Sequence, residues 1–237
     1  KLINANKDKD RIFSIIGHDL RNSISGITGL SLILTTDHSK LSNERKIKIY
    51  QLIYSSSKSI SDILENLLNW GKMQFDKISF EHKTFEIEYI KEQLFLSYRN
   101  ALENKNIKLI FETEKNLLLN TDRELLSTVL RNLVNNAIKF SYPNSEIRIN
   151  FKQQDEFIKV SVKDQGIGIK KEIADSLLLG NKNNSKNGTQ NEQGTGLGLL
   201  LCKELLVKFG GKIWLESEEG IGSTFYFTIK NTAPNKN

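Results

Sequence analysis

Cysteine is almost missing from the sequence. Cys202 is the sole one, so no intrachain disulfide can form, and the chain suits a reducing compartment, the cytoplasm. Long apolar runs are missing too. None approaches the roughly 20 residues that cross a bilayer, and the charged start KLINANKDKDR offers no signal peptide. There is no initiator methionine, and the first residues read as mid-helix sequence. That is the expectation for a segment of a longer protein, in which any membrane anchor or sensor would lie upstream. Dense Arg/Lys blocks interleaved with aromatics are absent as well: the net charge of +6 comes largely from scattered lysines. A direct nucleic-acid partner is therefore disfavoured, whereas an acidic protein or a polyanionic nucleotide fits. What is present supports a folded protein, with 38% hydrophobic and 26% charged residues, which excludes disorder as the general state. At 237 residues the chain is comfortable as two domains, given about 100–200 residues for each.

The first part reads as two helices. Phe13, Ile16, Leu20, Ile24, Ile27, Leu30 and Leu34 step by threes and fours, and after a polar break at Thr35–Glu44 a second stripe runs through Ile49, Ile53, Ile60, Ile63, Leu67 and Trp70. An antiparallel hairpin leaves apolar faces that it cannot cover itself, which points to a four-helix bundle formed by a homodimer. From about Ile78 strand-like runs appear: Lys83–Glu88, Ile107–Glu112, Glu146–Phe151, Phe157–Asp164, Lys212–Ser217 and Ser223–Ile229. Helical segments separate them near Glu88–Glu103, Asp122–Phe140 and Leu197–Phe209. The second of these follows Thr121-Asp122-Arg123-Glu124, a sequence of capping-box form. The class predicted is α+β: a helical hairpin over residues 1–76, then an α/β sandwich over residues 80–232. The stretch Asn181–Gln193 holds no apolar residue and reads as a mobile loop.

Four segments offer chemistry. GTGLGL at Gly194–Leu199 enters a helix; closely spaced glycines let backbone N–H groups reach a phosphate, and the helix N-terminus favours its charge. The plainer alternative is a glycine-rich turn. It is not a Walker loop, since no Gly-Lys-Ser/Thr follows, and no strand leads in as a dinucleotide fingerprint requires. DQGIGI at Asp164–Ile169 follows a strand and sets a carboxylate beside two glycines, able to accept a hydrogen bond from an exocyclic amine such as adenine's; a simple Asp-initiated turn is the alternative. In LRNLVNNAIKF at Leu130–Phe140, Asn132, Asn136 and Lys139 share one helix face, suited to a metal and phosphates or merely to solvent. His18, in FSIIGHDLRNSISG, stands roughly opposite the apolar stripe, with Asp19 beside it and Asn22 one turn on. A solvent-facing imidazole is a competent nucleophile towards phosphorus, with a neighbouring acid to take its proton. His38 and His82 lack such surroundings.

Taken in order, H-D-L-R-N, N-x-x-x-N-A-x-K, D-x-G-x-G and G-T-G-L-G-L resemble the sensor histidine kinases from about Ile12 to Ile229. The resemblance implies a dimerisation and histidine-phosphotransfer hairpin followed by an ATP-binding domain of the GHKL type. It implies that His18 is the phosphoacceptor, that Asp19 helps deprotonate it, and that Asn22 is similar to the residue orienting a water for dephosphorylation of a response regulator. Asn136 would coordinate Mg²⁺, with Asn132 and Lys139 near the phosphates. Asp164 would bind the adenine amine. Gly166, Gly168 and Ile169 would line the base pocket, and Gly194, Thr195, Gly196, Leu197 and Gly198 would edge the phosphates. The partner implied is the receiver domain of a response regulator, whose aspartate takes the phosphoryl group. Gly71–Ser79 is the expected hinge between the domains.

The chain departs from the family pattern at two places. Ser23 stands where many relatives have Pro, five residues after the histidine, and Ala174–Asn183 offers leucines where an aromatic box is usual. Two other functions are weighed. Chaperone- and topoisomerase-type ATPases of the same fold use a Glu ahead of the first Asn, but Arg131 and Asn135 precede the asparagines here, which counts against hydrolysis by water. A non-catalytic scaffold would need none of His18, Asn136 and Asp164.

Overall fold

A computed structural model describes residues 2–74, 81–113, 117–177, 188–189 and 197–231. The chain divides into two compact units, Lys1–Lys77 and Ile78–Asn237.

The first unit is two long helices, α1 (Leu2–Thr36) and α2 (Asn43–Gln74), joined through a 3₁₀ turn at His38–Lys40 and packed against one another. Ile49 and Ile63 are buried, as the stripe predicts. Ile24, a member of the first stripe, is instead in the open, and it is more than 40% exposed, as are Leu32, Ile47, Tyr54, Leu64 and Leu68. Two helices have too little mutual surface to cover both their faces. The expected hinge begins in helix, since α2 runs through Gly71 to Gln74; its residues 75–79 lie outside the described residues. No described helix is long and apolar enough to cross a membrane.

The second unit carries a five-stranded sheet of β2 (Lys108–Glu112), β4 (Glu146–Gln154), β5 (Phe157–Lys163), β7 (Gly222–Lys230) and β6 (Lys212–Glu218), in that order. All neighbours are antiparallel except β2 and β4. That parallel pair needs a crossover, supplied by β3 (Leu118–Asp122) and α4 (Arg123–Phe140). Period-two alternation sends one row of side chains inward, for instance Ile149, Val162 and Phe225 across β4, β5 and β7. Helices α3 (Ile87–Lys105), α4 and α6 (Leu197–Lys208) pack on the sheet. The outward rows are polar and basic. On them Trp214 stacks on Tyr226 at 5.3 Å, with the Lys159 ammonium 4.6 Å from the tyrosine ring, an arrangement that shields aromatic surface on an open sheet face.

Two features were not in the sequence reading. A separate two-stranded sheet pairs β1 (His82–Glu86) with β3, and α5 (Lys171–Leu177) is a short helix where only leucines stood out. The capping box is also replaced. The β1–β3 pairing carries extended backbone through Thr121 to Asp122, so Asp122 becomes the N-cap of α4, its Oδ1 accepting from Leu125 N at 2.9 Å and its Oδ2 from Glu81 N at 3.1 Å. Thr121 sits in the strand with its hydroxyl buried and unpartnered among the described residues. Asp122→Ala is thus expected to cost about 1–2 kcal/mol, seen in a urea melt and as a fall in Tm of roughly 2–8 °C, whereas Glu124→Ala should be nearly neutral.

Candidate nucleotide site

α4 is the backbone of the site. Its apolar side, Leu125, Leu126, Val129, Leu130, Leu133, Val134, Ala137 and Ile138, is buried. That burial fixes the rotation of the helix and so aims the remaining face, where Asn132 and Asn136 are partly buried. Asn132 Nδ2 donates to Thr128 O at 3.1 Å. With the amide nitrogen held by its own helix, the oxygen turns outward, and it meets Gly198 in the first turn of α6, where a Cβ would collide with Asn132 Oδ1. Lys139 is more enclosed than a solvated face would make it: it is 8% exposed, with its ammonium 4.8 Å from the ring of Phe140.

Asp164 follows β5 and is 5% exposed. Its Oδ1 accepts from Gly166 N at 3.0 Å and Ser223 N at 3.1 Å, while its own N–H donates to Ser223 O at 2.9 Å. Oδ2 receives no hydrogen bond among the described residues. Burial pushes the carboxyl up to about 6, and the two backbone N–H donors oppose that rise. One oxygen is therefore fixed by the fold, leaving the other available to a donor.

The turn after Asp164 is stitched to the end of α4. Ile167 N donates to Phe140 O at 3.1 Å and Tyr142 N to Gln165 O at 3.2 Å. Gly166 lies so close to the Phe140 carbonyl that a Cβ would overlap it. Gly168 has φ +63° and abuts the Glu218 carbonyl. These two glycines thus admit protein backbone from α4 and from the β6–β7 turn, a demand that sequence alone does not display. Ile169 N donates to Ser217 Oγ at 2.8 Å, and Ser217 Oγ lies 2.9 Å from Ser223 Oγ. Gly168→Ala carries both a left-handed φ and a backbone collision, so it is expected to destabilise the second unit by about 2 kcal/mol or more, read as a lower urea midpoint with an unchanged slope.

Of the residues singled out by sequence, the fold gathers Asn132, Gly198 and the α4 face that bears Asn136 and Lys139, and joins that helix end to the Asp164–Gly168 turn. Gly194, Thr195 and Gly196 lie outside the described residues, as do residues 181–187 and 190–193 of the polar stretch and the side chain of Leu197. His18 and Asp19 lie on α1, in the other unit, with side chains outside the described residues; Asn22, one turn on, is exposed. Two serines were missed. Ser217 and Ser223 support the Asp164 turn, and only their place in the glycine-bounded β6–β7 hairpin could have flagged them.

Comparison with known proteins places these features. Residues 121–233 match the family described as histidine kinase-, DNA gyrase B-, and HSP90-like ATPase. The hybrid signal transduction protein dokA of Dictyostelium discoideum is 32% identical over 239 residues, covering 96% of this chain; the chain spans 14% of the length of dokA. The catalytic domain of histidine kinase ThkA is 31% identical with a TM-score of 0.54, covering 64% of this chain and 96% of that domain. Histidine kinase ThkA in its complex with response regulator TrrA superimposes with a TM-score of 0.73 at 23% identity, over 100% of this chain and 66% of that one. The chain belongs to the protein histidine kinases, as a sensor-kinase catalytic core whose C-terminal unit is of the gyrase B- and HSP90-like ATPase type.

Proposed function

We propose that the chain binds ATP in its second unit and transfers the γ-phosphoryl group to His18, then to an aspartate of a response-regulator receiver domain. The observation that carries this is Asp164, a buried carboxylate with one oxygen fixed by Gly166 and Ser223 N–H groups, standing beside the end of the helix that bears Asn136 and Lys139. An adenine amine donating to Oδ2 would sit at the Asp164 end. The triphosphate would then run towards Asn132, Asn136, Lys139 and the first turn of α6.

The donor set fits a magnesium nucleotide. Mg²⁺ takes oxygen ligands and keeps waters and substrate phosphates, so the single amide oxygen of Asn136 is a suitable protein contribution. When bound, the ion offsets charge on the phosphates. Lys139, largely enclosed, supplies a fixed positive charge for the oxygens that gain charge in the transition state. At His18 one imidazole nitrogen attacks the γ-phosphorus in line, the bond to the ADP oxygen breaks, and the second imidazole nitrogen gives its proton to Asp19. Asn22 lies one turn from His18 on the same face of α1, a position from which its amide orients a water against the phosphorylated receiver.

The exposed apolar positions of α1 and α2 favour pairing of two hairpins into a four-helix bundle. The TrrA complex of ThkA supports a receiver domain as the phosphoryl acceptor. Use of ATP and transfer to a receiver domain favour a cytoplasmic location. Labelling of His18 from γ-labelled ATP tests the reading.

A further inference from the structure

The last turn of α4 is held from behind by a lysine that the nucleotide reading leaves unused. Lys105 ends α3 and is 4% exposed. Its Nζ donates to Ile138 O at 2.9 Å, to Lys139 O at 2.9 Å and to Thr189 Oγ1 at 2.8 Å. Two of these acceptors are carbonyls in the final turn of α4, where the orphan carbonyls and the negative end of the helix dipole favour a cation. Thr189 closes the arrangement. Its N–H donates to Lys139 O at 3.1 Å and its hydroxyl to Ser141 O at 2.8 Å. Lys105 is itself fixed, because Asn106 takes a left-handed cap conformation (φ 49°) and Asn144 N donates to Lys105 O at 2.9 Å.

Burying an ammonium is costly unless each of its three protons is taken up, and here three acceptors lie within 2.9 Å. A methionine would fill similar space without that demand. What the ammonium achieves and a methionine cannot is to tie three chain segments at one point: the end of α3, the turn of α4 that carries Lys139, and Thr189 in the connection between α5 and α6. Nothing in the sequence marks Lys105, which lies in a polar run, ENKN, that looks like surface.

Resting on the proposed function, we propose that Lys105 and Thr189 are positioning residues for the triphosphate. They lock the last turn of α4 to the α5–α6 connection and so hold Lys139 where the phosphates lie. Neither residue touches the nucleotide. The Asp164 carboxylate is fixed by Gly166 N and Ser223 N, bonds made by neither Lys105 nor Thr189, so the effect is expected to fall mainly on the phosphates.

The test compares Lys105→Met, Thr189→Val, Thr189→Ser and the Lys105→Met/Thr189→Val double variant in the whole chain, titrated with ATP and Mg²⁺ by calorimetry and with adenosine by NMR. The expected result is a loss of ATP affinity of about tenfold for Lys105→Met and about fivefold for Thr189→Val, with a double variant no weaker than Lys105→Met alone, since contacting residues in one network are not additive. Thr189→Ser, which keeps the hydroxyl, should bind ATP within about twofold of the parent, and adenosine affinity should hold in all of them. Should Lys105→Met fail to fold, the Thr189→Val and Thr189→Ser pair gives the same reading. Parent-like ATP affinity in Thr189→Val, or an equal loss for ATP and adenosine, would overturn the inference while leaving the nucleotide site standing. A parent chain that binds no ATP would overturn the proposed function and this inference with it.

Discussion

Asp164→Asn is expected to lose ATP affinity by roughly 100-fold or more while making the nucleotide-free protein more stable at pH 7. Both effects come from the same carboxyl. The asparagine keeps an oxygen to accept from Gly166 N and Ser223 N, so the turn survives. Its amide group then stands where Oδ2 stood and presents a donor to the donating amine of adenine. Two donors face to face leave both unpaired in a buried place, which costs on the order of 1–3 kcal/mol for each group. Stability moves the other way because burial disfavours the charged form of Asp164 and raises its carboxyl to about 6 from the ordinary 3.8.

The raised value fixes the sign of the pH dependence. Between pH 3.8 and 6 the folded state holds a proton on Asp164 that the unfolded chain has released, so this group's contribution is fully present below that window and is lost as pH rises through 6. The loss is about 3 kcal/mol at neutral pH. Nucleotide affinity has the opposite slope. A donating amine stabilises the carboxylate, so ATP binding should strengthen from pH 5 and level off once pH has risen past about 6. Urea melts and calorimetric titrations at pH 5, 6 and 7 read both trends. In Asp164→Asn the Asp164 contribution to each slope should vanish, and a variant that bound ATP like the parent would remove Asp164 from adenine recognition.

Much of the architecture was legible because it rests on periodicity. The two apolar stripes of the first unit and the buried side of α4 follow from 3.6-residue spacing, and β4 and β5 from alternating burial along short strand-like runs. What escaped depends on distant chain segments. Thr121 and Asp122 are both good caps locally; the β1–β3 pairing decides for Asp122 by keeping Thr121 in the strand. β3 is short, with Asn120, Thr121 and Asp122 after two leucines, so it offered no alternation. The parallel pairing of β2 with β4 needs the crossover to be known first. Lys105 drew no reading, and for Lys139 a solvated face stood as the alternative to a phosphate site, since burial of a lysine depends on groups brought from elsewhere in the fold. Asp164 stood out as a strand-end carboxylate able to accept from adenine's amine; the structure adds that Gly166 and Gly168 make room for the Phe140 and Glu218 carbonyls, a demand that comes from distant segments.

The second large effect concerns His18, where chemistry rather than binding is at stake. An imidazole that accepts a phosphoryl group forms a phosphoramidate, which acid hydrolyses and alkali spares, unlike an ester on serine or threonine. Glutamine at position 18 keeps the helix but has no nucleophilic nitrogen of comparable strength. It is expected to abolish labelling altogether while leaving ATP affinity within about twofold, because the substitution alters none of the residues proposed to hold the nucleotide. Asn136→Asp, by contrast, should abolish labelling through the nucleotide site itself, by adding negative charge beside the phosphates.

The direct test is incubation of the parent chain and these two variants with γ-labelled ATP and Mg²⁺, followed by acid and alkali treatment. The account predicts alkali-stable, acid-labile label on the parent and none on either variant. Label persisting in His18→Gln, or absent from a parent chain that binds ATP, would contradict it.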